Sequence, residues 1–343
     1  MNMFRQAPAS WINVLVVLYT LGGWTLGVWL LAQPAIAANV AGVLLTAHTL
    51  VCSAYLLHDC AHQTVCATAR ANDRLGILLS WLNGACLATY QKLKKKHLRH
   101  HADRLDVVTF DYRALLKRTP VWVRRCVLAL EWGYIPVIEL LMRGFIVAAP
   151  FHYSTGRARL RMVLLLAVRL AFFVALAMIS VKALLLYGVA YLVFLHVLRF
   201  MDAFQHTYEV FVSRSLAPAP ADPSRNRHYE YAHTYSNLLS VRRPWLNLLV
   251  LNFPYHNAHH SQTGVPWYQL PSLHRALYGT QDPQVIPCRT LLANYHRYRV
   301  SRVLADDYGS VQTHRVHARD LTDAGARAES FIGAVGVSFL TAV

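Results

Sequence analysis

Four long apolar runs along the chain form two pairs. Each run has about 20 residues, the length that an α-helix needs to cross the hydrocarbon core of a bilayer. Within each pair only a short break interrupts the apolar pattern, at Gln33 and Pro34 in the first pair and at Lys182 in the second. The pattern therefore predicts two helical hairpins, with membrane spans at about residues 11–33, 35–57, 162–181 and 183–204.

Between and after the hairpins lie three further apolar stretches, at residues 75–90, 127–149 and 242–253. The first ends close to a lysine run, and the second carries Glu131, Glu139 and Arg143. Segments that mix apolar and charged positions in this way are typical of helices lying in the membrane interface. We therefore expect interfacial helices here. A span in the second stretch would instead move every later segment to the other side of the membrane.

The composition agrees with a membrane protein. Hydrophobic residues make up 55% of the 343 residues and charged residues only 15%, whereas soluble domains carry about 25% charged residues. The net charge is +17, and arginine and lysine are abundant in residues 58–161 and after residue 204, while the hairpin tips carry only Lys182. Because positive charge accumulates on the cytoplasmic side, we expect both segments and the N-terminus to face the cytoplasm of a bacterial inner membrane.

Two other function classes receive little support from the composition. No module that combines basic and aromatic residues stands out, so we expect no nucleic-acid partner. The six cysteines form no CxxC pair and lie mostly in or beside apolar segments. We interpret them as reduced and structural, without a zinc-finger role.

Eight of the eighteen histidines fall into three short motifs. HDCAH places two histidines four positions apart, whereas HLRHH and HNAHH each place three at positions i, i+3 and i+4. On a helix these positions share one face, so each motif can bind one metal ion or two neighbouring ones. A single pair of this kind is more often ordinary packing, but three motifs in a four-span chain indicate a metal site. The histidines are His58, His62, His97, His100, His101, His256, His259 and His260.

The number of histidines favours two metal ions. Eight imidazoles exceed the three or four protein ligands of one tetrahedral zinc ion. Imidazole suits zinc, copper, iron and nickel alike, so the residues by themselves leave the identity of the metal open.

In order and spacing, the three motifs resemble the histidine boxes of the integral-membrane fatty acid desaturase and hydroxylase superfamily. The four-span layout is similar too, and the resemblance covers roughly residues 35–280. It implies an all-α membrane protein with four transmembrane helices in two hairpins, interfacial helices and a cytoplasmic histidine-rich diiron cap. In that family the histidines hold two non-haem irons, which activate O₂ beside a buried hydrocarbon chain, so the resemblance implies that all eight histidines are iron ligands.

Members of the superfamily often have a ninth histidine directly after the fourth span. His206, in the sequence DAFQHTYE, stands at that place. Asp202 lies one helical turn earlier, where the family more often has a neutral residue, and is a candidate metal or water-binding group. His228 and His233 are further candidates because they are close in sequence.

The remaining histidines have no motif around them. His48 and His196 lie inside predicted spans, where a polar side chain is either functional or hydrogen-bonded within the packing. We interpret five others as ordinary surface residues: His152, His274, His296, His314 and His317.

The resemblance implies an oxidoreductase that uses O₂ and external electrons to desaturate a fatty-acyl chain. A hydroxylase or ketolase of the same superfamily, acting on a lipid or carotenoid, has the same boxes, so the sequence leaves both reactions open. A metal transporter is a hypothesis from another class. Transporters hold their ions near the middle of the membrane, whereas these motifs lie at span ends or between spans.

The sequence contains no recognisable haem or flavin module, so the resemblance implies a separate electron donor, an acidic ferredoxin. We expect it to dock on basic residues near the second and third boxes: Lys92, Lys94, Lys95, Lys96, Arg99, Arg104, Arg242 and Arg243. Residues 1–300 form the predicted desaturase-like domain. Residues 301–343 are predicted to be a tail, polar and then weakly apolar, to which the sequence assigns no role.

Overall fold

The computed structural model describes residues 10–212, 222–279, 282, 284–311 and 328–343. The structure is 68% helical and contains little sheet. Its α-helices are α1 Ser10–Leu31, α2 Ile36–Ala61, α3 Ala69–Asn83, α4 Tyr90–Asp103, α5 Tyr112–Arg118, α6 Val121–Trp132, α7 Val137–Tyr153, α8 Gly156–Ile179, α9 Val181–Ala203, α10 Arg227–Ala232, α11 His256–Ser261, α12 Leu270–Tyr278, α13 Cys288–Arg297 and α14 Ser301–Leu304. Short 3₁₀-helices cover Ala85–Leu87, Pro244–Val250 and Trp267–Gln269.

Four of the described helices, α1, α2, α8 and α9, are long and apolar enough to cross a membrane. This confirms the predicted all-α fold with four spans in two hairpins. The boundaries differ slightly from the prediction, because α2 continues to Ala61 and α8 already begins at Gly156. The extension of α2 places the whole first histidine box at the end of a span.

Side-chain hydrogen bonds close both hairpins. The last carbonyl groups of a helix have no partner within the helix itself. At the end of α1, the side-chain amide of Asn39 donates to the carbonyl oxygens of Leu30 at 3.1 Å and Gln33 at 2.9 Å. In the second hairpin the hydroxyl of Ser180 accepts a hydrogen bond from the N–H of Ala183 at 3.1 Å, which caps α9.

The segments predicted to be interfacial are short helices. The first stretch forms α3 and a 3₁₀ turn, and the third forms the 3₁₀-helix Pro244–Val250. In the second stretch α6 and α7 meet at an angle of 119°. A bend of this size means that α6 and α7 do not form one straight span. The described part of the chain would have five membrane spans only if the bent pair crossed the membrane as one broken span.

The charged residues of the second stretch are buried in the protein. The guanidinium group of Arg199 in α9 donates to Glu131 at 2.6 Å and lies 3.4 Å from Glu139. Glu131, Glu139 and Arg143 are each less than one tenth exposed. Glu131 and Glu139, two of the charges that led us to expect an interfacial location, therefore form an ion cluster with Arg199 inside the protein.

The chain folds into two compact units. The first contains the described residues up to Lys94 together with residues 141–198 and 339–343. It holds α1, α2, α3, α8 and most of α9, and therefore the first histidine box. The second unit contains residues 95–140 and the described residues between 199 and 338, including the other two boxes and His206.

One feature of the second unit was not expected from an all-α prediction. Strand β1, Asp106–Val108, pairs in parallel with strand β2, Val210–Val212. The pairing joins the segment that follows α4 to the segment that follows α9. It therefore fixes the chain just beyond the second box relative to the chain just beyond His206.

Candidate metal centre

The second box lies on α4, as its helical spacing predicts. His97, His100 and His101 point from one side of this helix, and His97 is only 6% exposed. The Nε2 atoms of His97 and His101 are 3.1 Å apart. Their separation along the chain, one helical turn, is what brings the two rings together.

The third box lies on α11, a helix of six residues. His256, His259 and His260 are all buried, at 2%, 3% and 7% exposed. Just before this helix Leu251 and Asn252 adopt positive φ angles of 48° and 54°, which costs a non-glycine residue on the order of 1 kcal/mol or more. Strained backbone of this kind gathers at functional sites, and here it turns the chain directly into the third box.

His206 lies beyond the end of α9, in an extended segment rather than on a helix. An antiparallel bridge joins it to Thr234, and the flanking Thr207 donates its N–H to the carbonyl oxygen of His233 at 3.0 Å. The Nε2 atom of His206 is 2.7 Å from that of His256 and 3.1 Å from that of His100. A single residue outside the boxes therefore connects the second box to the third.

In the second unit seven histidines form two sets. The ligand nitrogens of His100, His206, His256 and His260 all lie within 4.8 Å of one another, and so do those of His97, His101 and His259.

The spacing of these nitrogens fits shared metal ions. With metal–nitrogen bonds of about 2.1 Å at right angles, two ligand nitrogens are about 3.0 Å apart. The closest Nε2 pairs within the two sets are separated by 2.7, 3.1, 3.1 and 3.2 Å. Each of the two sets could therefore hold a metal ion through nitrogens from several segments.

Burial favours the neutral form of the imidazoles that metal binding requires. It lowers the pKa of His100 to about 4, and the nearby Lys96 acts in the same direction, whereas the hydrogen bond to Leu105 opposes it. Burial also holds the pKa of His206 well below the usual value, with further lowering by His100 and His256. Both rings are therefore uncharged at neutral pH.

Groups around the histidines orient the rings. The Nδ1–H of His100 donates to the carbonyl oxygen of Leu105 at 2.8 Å, so its Nε2 presents a lone pair to the other histidines. On the third box, His260 Nδ1 is 3.1 Å from a carboxylate oxygen of Glu230, whose other oxygen accepts a hydrogen bond from Arg104 at 3.0 Å. Carboxylates and carbonyls in such positions fix the tautomer and the orientation of metal-bound histidines.

The first box lies at the end of α2 in the first unit. His58 is 1% exposed, and its ring centroid is 4.9 Å from that of His62. The Nδ1 atom of His58 lies 3.1 Å from a carboxylate oxygen of Asp59. Helix α2 ends at this point because Gln63 adopts a positive φ of 61°.

The structure keeps the other predicted site residues apart from the two sets. Asp202 was expected to share a helical face with His206, but α9 ends at Ala203, so no helical turn connects them. Asp202 instead lies close to Lys96 and forms a side-chain hydrogen bond with Ser338. His233 packs its ring on Tyr229 at 4.0 Å and is in neither set, and His228 is exposed.

Among the histidines that we interpreted as surface residues, the interpretation of His274 was wrong. This residue is 6% exposed and lies between the rings of Tyr255 and Tyr278, at 5.3 and 5.4 Å. Its position on the inner face of the amphipathic helix α12 explains the burial. His152 and His296 are exposed, and His314 and His317 lie outside the described residues.

The predicted basic docking face is also smaller than expected. Lys96 is 4% exposed and donates to the carbonyl oxygen of Ser338 at 2.9 Å. Lys94, Arg99 and Arg104 are partly buried in ion pairs with acidic residues. Four of the eight residues are exposed, namely Lys92, Lys95, Arg242 and Arg243.

Two residues near the candidate site carried no recognisable signal in the sequence. Glu230 joins a third candidate metal-binding group with His101 and His260. Tyr208 is fully buried and stacks on His206 with ring centroids 4.3 Å apart. The only indication in the sequence was position along the chain: Tyr208 lies two residues after His206, and Glu230 lies between His228 and His233.

Comparison with known protein families gives one clear result. A family described as fatty acid desaturase matches residues 34–292, which include every histidine of the three boxes and His206. A search of the curated proteins found no significant match.

Proposed function

The chain belongs to the fatty acid desaturase family, and from this premise we propose that it is a membrane-bound non-haem diiron oxidoreductase that desaturates a fatty-acyl chain. The family consists of metal-dependent oxidoreductases that act on lipids in membranes. The proposal adds the metal, the reaction and the substrate class. It also assigns O₂ as the co-substrate and a separate ferredoxin as the electron donor.

One observation carries the proposal: seven buried or half-buried histidines of the second unit gather in two sets with closely spaced nitrogens. A chance cluster would not bring residues from α4, from α11 and from the segment after α9 to the same spacing. We assign both sets as metal ligands. His58 and His62 complete the ligand set in this proposal, because the family pattern includes the first box.

The chemistry of the reaction supports iron over zinc. Imidazole ligands suit both metals, but zinc has no redox chemistry in proteins. An oxidoreductase of this family needs a metal that changes oxidation state, since it must reduce O₂.

The proposed reaction converts adjacent CH₂ groups into a CH=CH unit. The acyl chain gives up two hydrogen atoms, that is two protons and two electrons. The donor supplies two further electrons and the solvent two further protons, so that one O₂ is reduced to two waters. Two bound irons would supply the activation of O₂ and the removal of hydrogen from an unactivated C–H bond.

The residues of the chain perform the positioning. The histidines of the second and third boxes would hold the ions from helices α4 and α11, and His206 would do so from an extended segment. Glu230 and the carbonyl group of Leu105 orient two of the rings. Burial of the third box excludes bulk water from its imidazoles. The apolar spans provide an environment for the hydrocarbon. Holding one carbon beside the metal ions would make the removal of its hydrogen an intramolecular step.

The test is lipid analysis of bacterial membranes with and without the expressed protein. We expect acyl chains that have lost two hydrogens, and about two irons per chain after anaerobic purification. Changing His259→Ala removes a ligand and should abolish the product, whereas the exposed His296→Ala should leave it unchanged.

The products also separate the competing hypotheses. Chains that have gained one oxygen would show a hydroxylase instead of a desaturase. One zinc per chain, with unchanged lipids, would overturn the proposal altogether and leave metal transport or storage as the function.

A further inference from the structure

The C-terminal segment is buried, although its sequence is only weakly apolar. Among the described residues of this segment, Phe331 is 0%, Ala334 1%, Leu340 2% and Thr341 1% exposed. The groups that hold this segment in place and the side chains that it contacts indicate its role.

Hydrogen bonds hold the part of the segment that lies in the second unit. The N–H of Ala334 donates to the carbonyl oxygen of Ala203 at 2.8 Å. The buried ammonium group of Lys96 donates to the carbonyl oxygen of Ser338 at 2.9 Å. Lys96 is the neighbour of the proposed ligand His97, and Ser338 is the neighbour of Phe339. The backbone is thus fixed at the residue that immediately precedes the last five.

The last five residues, Phe339–Val343, belong to the first unit, which contains the spans. There the ring of Phe339 meets the imidazole of His58 edge to face, with centroids 5.6 Å apart and the planes at 70°. Phe339 is 8% exposed and His58 only 1%. A fixed aromatic ring therefore covers one side of a proposed metal ligand.

The side chains that follow Phe339 are mostly apolar: Leu340, Ala342 and Val343, with Thr341 as the polar exception. Apolar surface beside a metal site excludes water and favours a hydrocarbon. In the proposed reaction the reacting carbon of an acyl chain comes close to the metal ligands, so side chains packed against those ligands are the ones that can contact it.

We propose that the C-terminal pentapeptide Phe339–Val343 forms part of the wall of the acyl-chain site and that Phe339 is a specificity-determining residue. Its ring limits how the chain lies beside His58 and thereby selects the carbons that react. This inference rests on the proposed desaturase function. It gives a role to the C-terminal tail, which the sequence motifs left without one.

The first experiment compares Phe339→Ala with Phe331→Ala. Both remove a buried phenyl ring from the same segment, but Phe331 packs against Phe204 and Tyr235, with centroids 5.2 and 5.6 Å away. Each variant is expressed with a series of saturated fatty acids of increasing length. The position of the double bond and the iron content are then measured by mass spectrometry and elemental analysis.

We expect Phe339→Ala to move the double bond or to admit longer chains. The ratio of products should change by roughly tenfold or more, the discrimination typical of a change in pocket size by a methylene or more. Phe339→Leu should restore part of the original selectivity. Phe331→Ala should lower thermal stability but keep the wild-type product ratio, and all variants should keep their iron. Unchanged selectivity in Phe339→Ala would overturn the inference.

A second measurement does not depend on turnover. p-Benzoylphenylalanine at position 339 should, on illumination of the purified protein in vesicles containing a saturated fatty acid, form a covalent adduct with that fatty acid. The same residue at position 331 should not. If position 339 captures only protein, the inference is wrong even when the wild type is active. An adduct at 339 in a protein that yields no oxidised lipid would instead count against the desaturase function alone.

Discussion

At the scale of single residues, a proposed metal ligand differs from other histidines in the groups that its ring nitrogens contact. The Nε2 atom of His206 faces two other imidazoles, at 2.7 and 3.1 Å. His233 is close in sequence, but its Nδ1 bonds to the carbonyl oxygen of Tyr229 at 2.9 Å, and its ring stacks on the same tyrosine. Both histidines were candidates from the sequence, and these contacts support the proposal of His206 as a metal ligand rather than His233.

We therefore expect His206→Ala and His233→Ala to differ in iron content. Removing His206 takes one ligand from a set of four, so the protein should retain about one iron per chain rather than two, because three ligands hold an ion less tightly than a complete set. His233→Ala should keep both irons and its activity. Elemental analysis of protein purified anaerobically from iron-replete cells measures this. Equal iron losses in the two variants would contradict the assignment of His206.

The site could be predicted from sequence as far as helical spacing determines it. Within α4 and α11 the separation of three or four positions is enough to place side chains on one face. The expectation that Asp202 shares a helical face with His206 was wrong because it assumed that α9 continued to His206, whereas the helix ends at Ala203. Glu230 was missed because its contact with His260 joins residues 30 positions apart, and no local pattern encodes such a contact.

At the scale of elements, α4 presents two different faces. Its histidines are directed to the candidate metal centre, while Lys92 and Lys95 are exposed. Lys94 is bound to Asp73 at 2.8 Å and Lys96 is buried, so neither is available to a partner. A docking site for an acidic donor on this helix must therefore use Lys92 and Lys95.

Reversing the charge of these two lysines should slow electron delivery. In Lys92→Glu with Lys95→Glu we expect about tenfold slower association with reduced ferredoxin at low salt, because charge at the rim of an interface acts mainly on the association rate. The difference should shrink at higher salt, where charges are screened over roughly 8 Å. Iron content should not change, since no ligand is altered.

Steady-state rates at several ferredoxin concentrations and two salt levels provide the measurement. Lys182→Glu is the matched control, because this exposed lysine lies at the tip of the hairpin between α8 and α9. It should follow the wild-type curve. If the double variant also follows that curve at low salt, the lysines of α4 do not receive the donor.

The elements themselves were predictable where one residue pattern covers a whole helix. The four spans are of this kind, since about 20 apolar residues determine each of them. The stretch around α6 and α7 was harder. Its Glu131 and Glu139 form ion pairs with Arg199, which lies 68 and 60 positions later in the chain. The sequence offers no indication of such distant pairs. The sequence therefore did not predict that the acidic side chains of this stretch belong to an internal ion cluster.

At the scale of the whole molecule, the proposed function requires the metal centre to face the compartment that supplies electrons. The distribution of basic residues predicts that this is the cytoplasm. Both hairpin tips should then face the opposite side. The structure brings these tips together, since the ammonium group of Lys182 donates to the carbonyl oxygen of Gln33.

Cysteine labelling tests this topology. Among the native cysteines Cys126 is exposed, whereas Cys52, Cys60, Cys66 and Cys86 are buried. Cys126 lies in α6 next to Arg124 and Arg125, on the predicted cytoplasmic side. In a Cys288→Ser background, a membrane-impermeant maleimide should label Lys182→Cys in intact bacterial cells. It should label Cys126 only in inside-out vesicles, because the bilayer separates the two positions. Labelling of Cys126 in intact cells would mean that the chain has the opposite orientation. A fifth span formed by α6 and α7 would instead leave Lys182→Cys unlabelled in intact cells, because it would move the second hairpin tip to the cytoplasmic side.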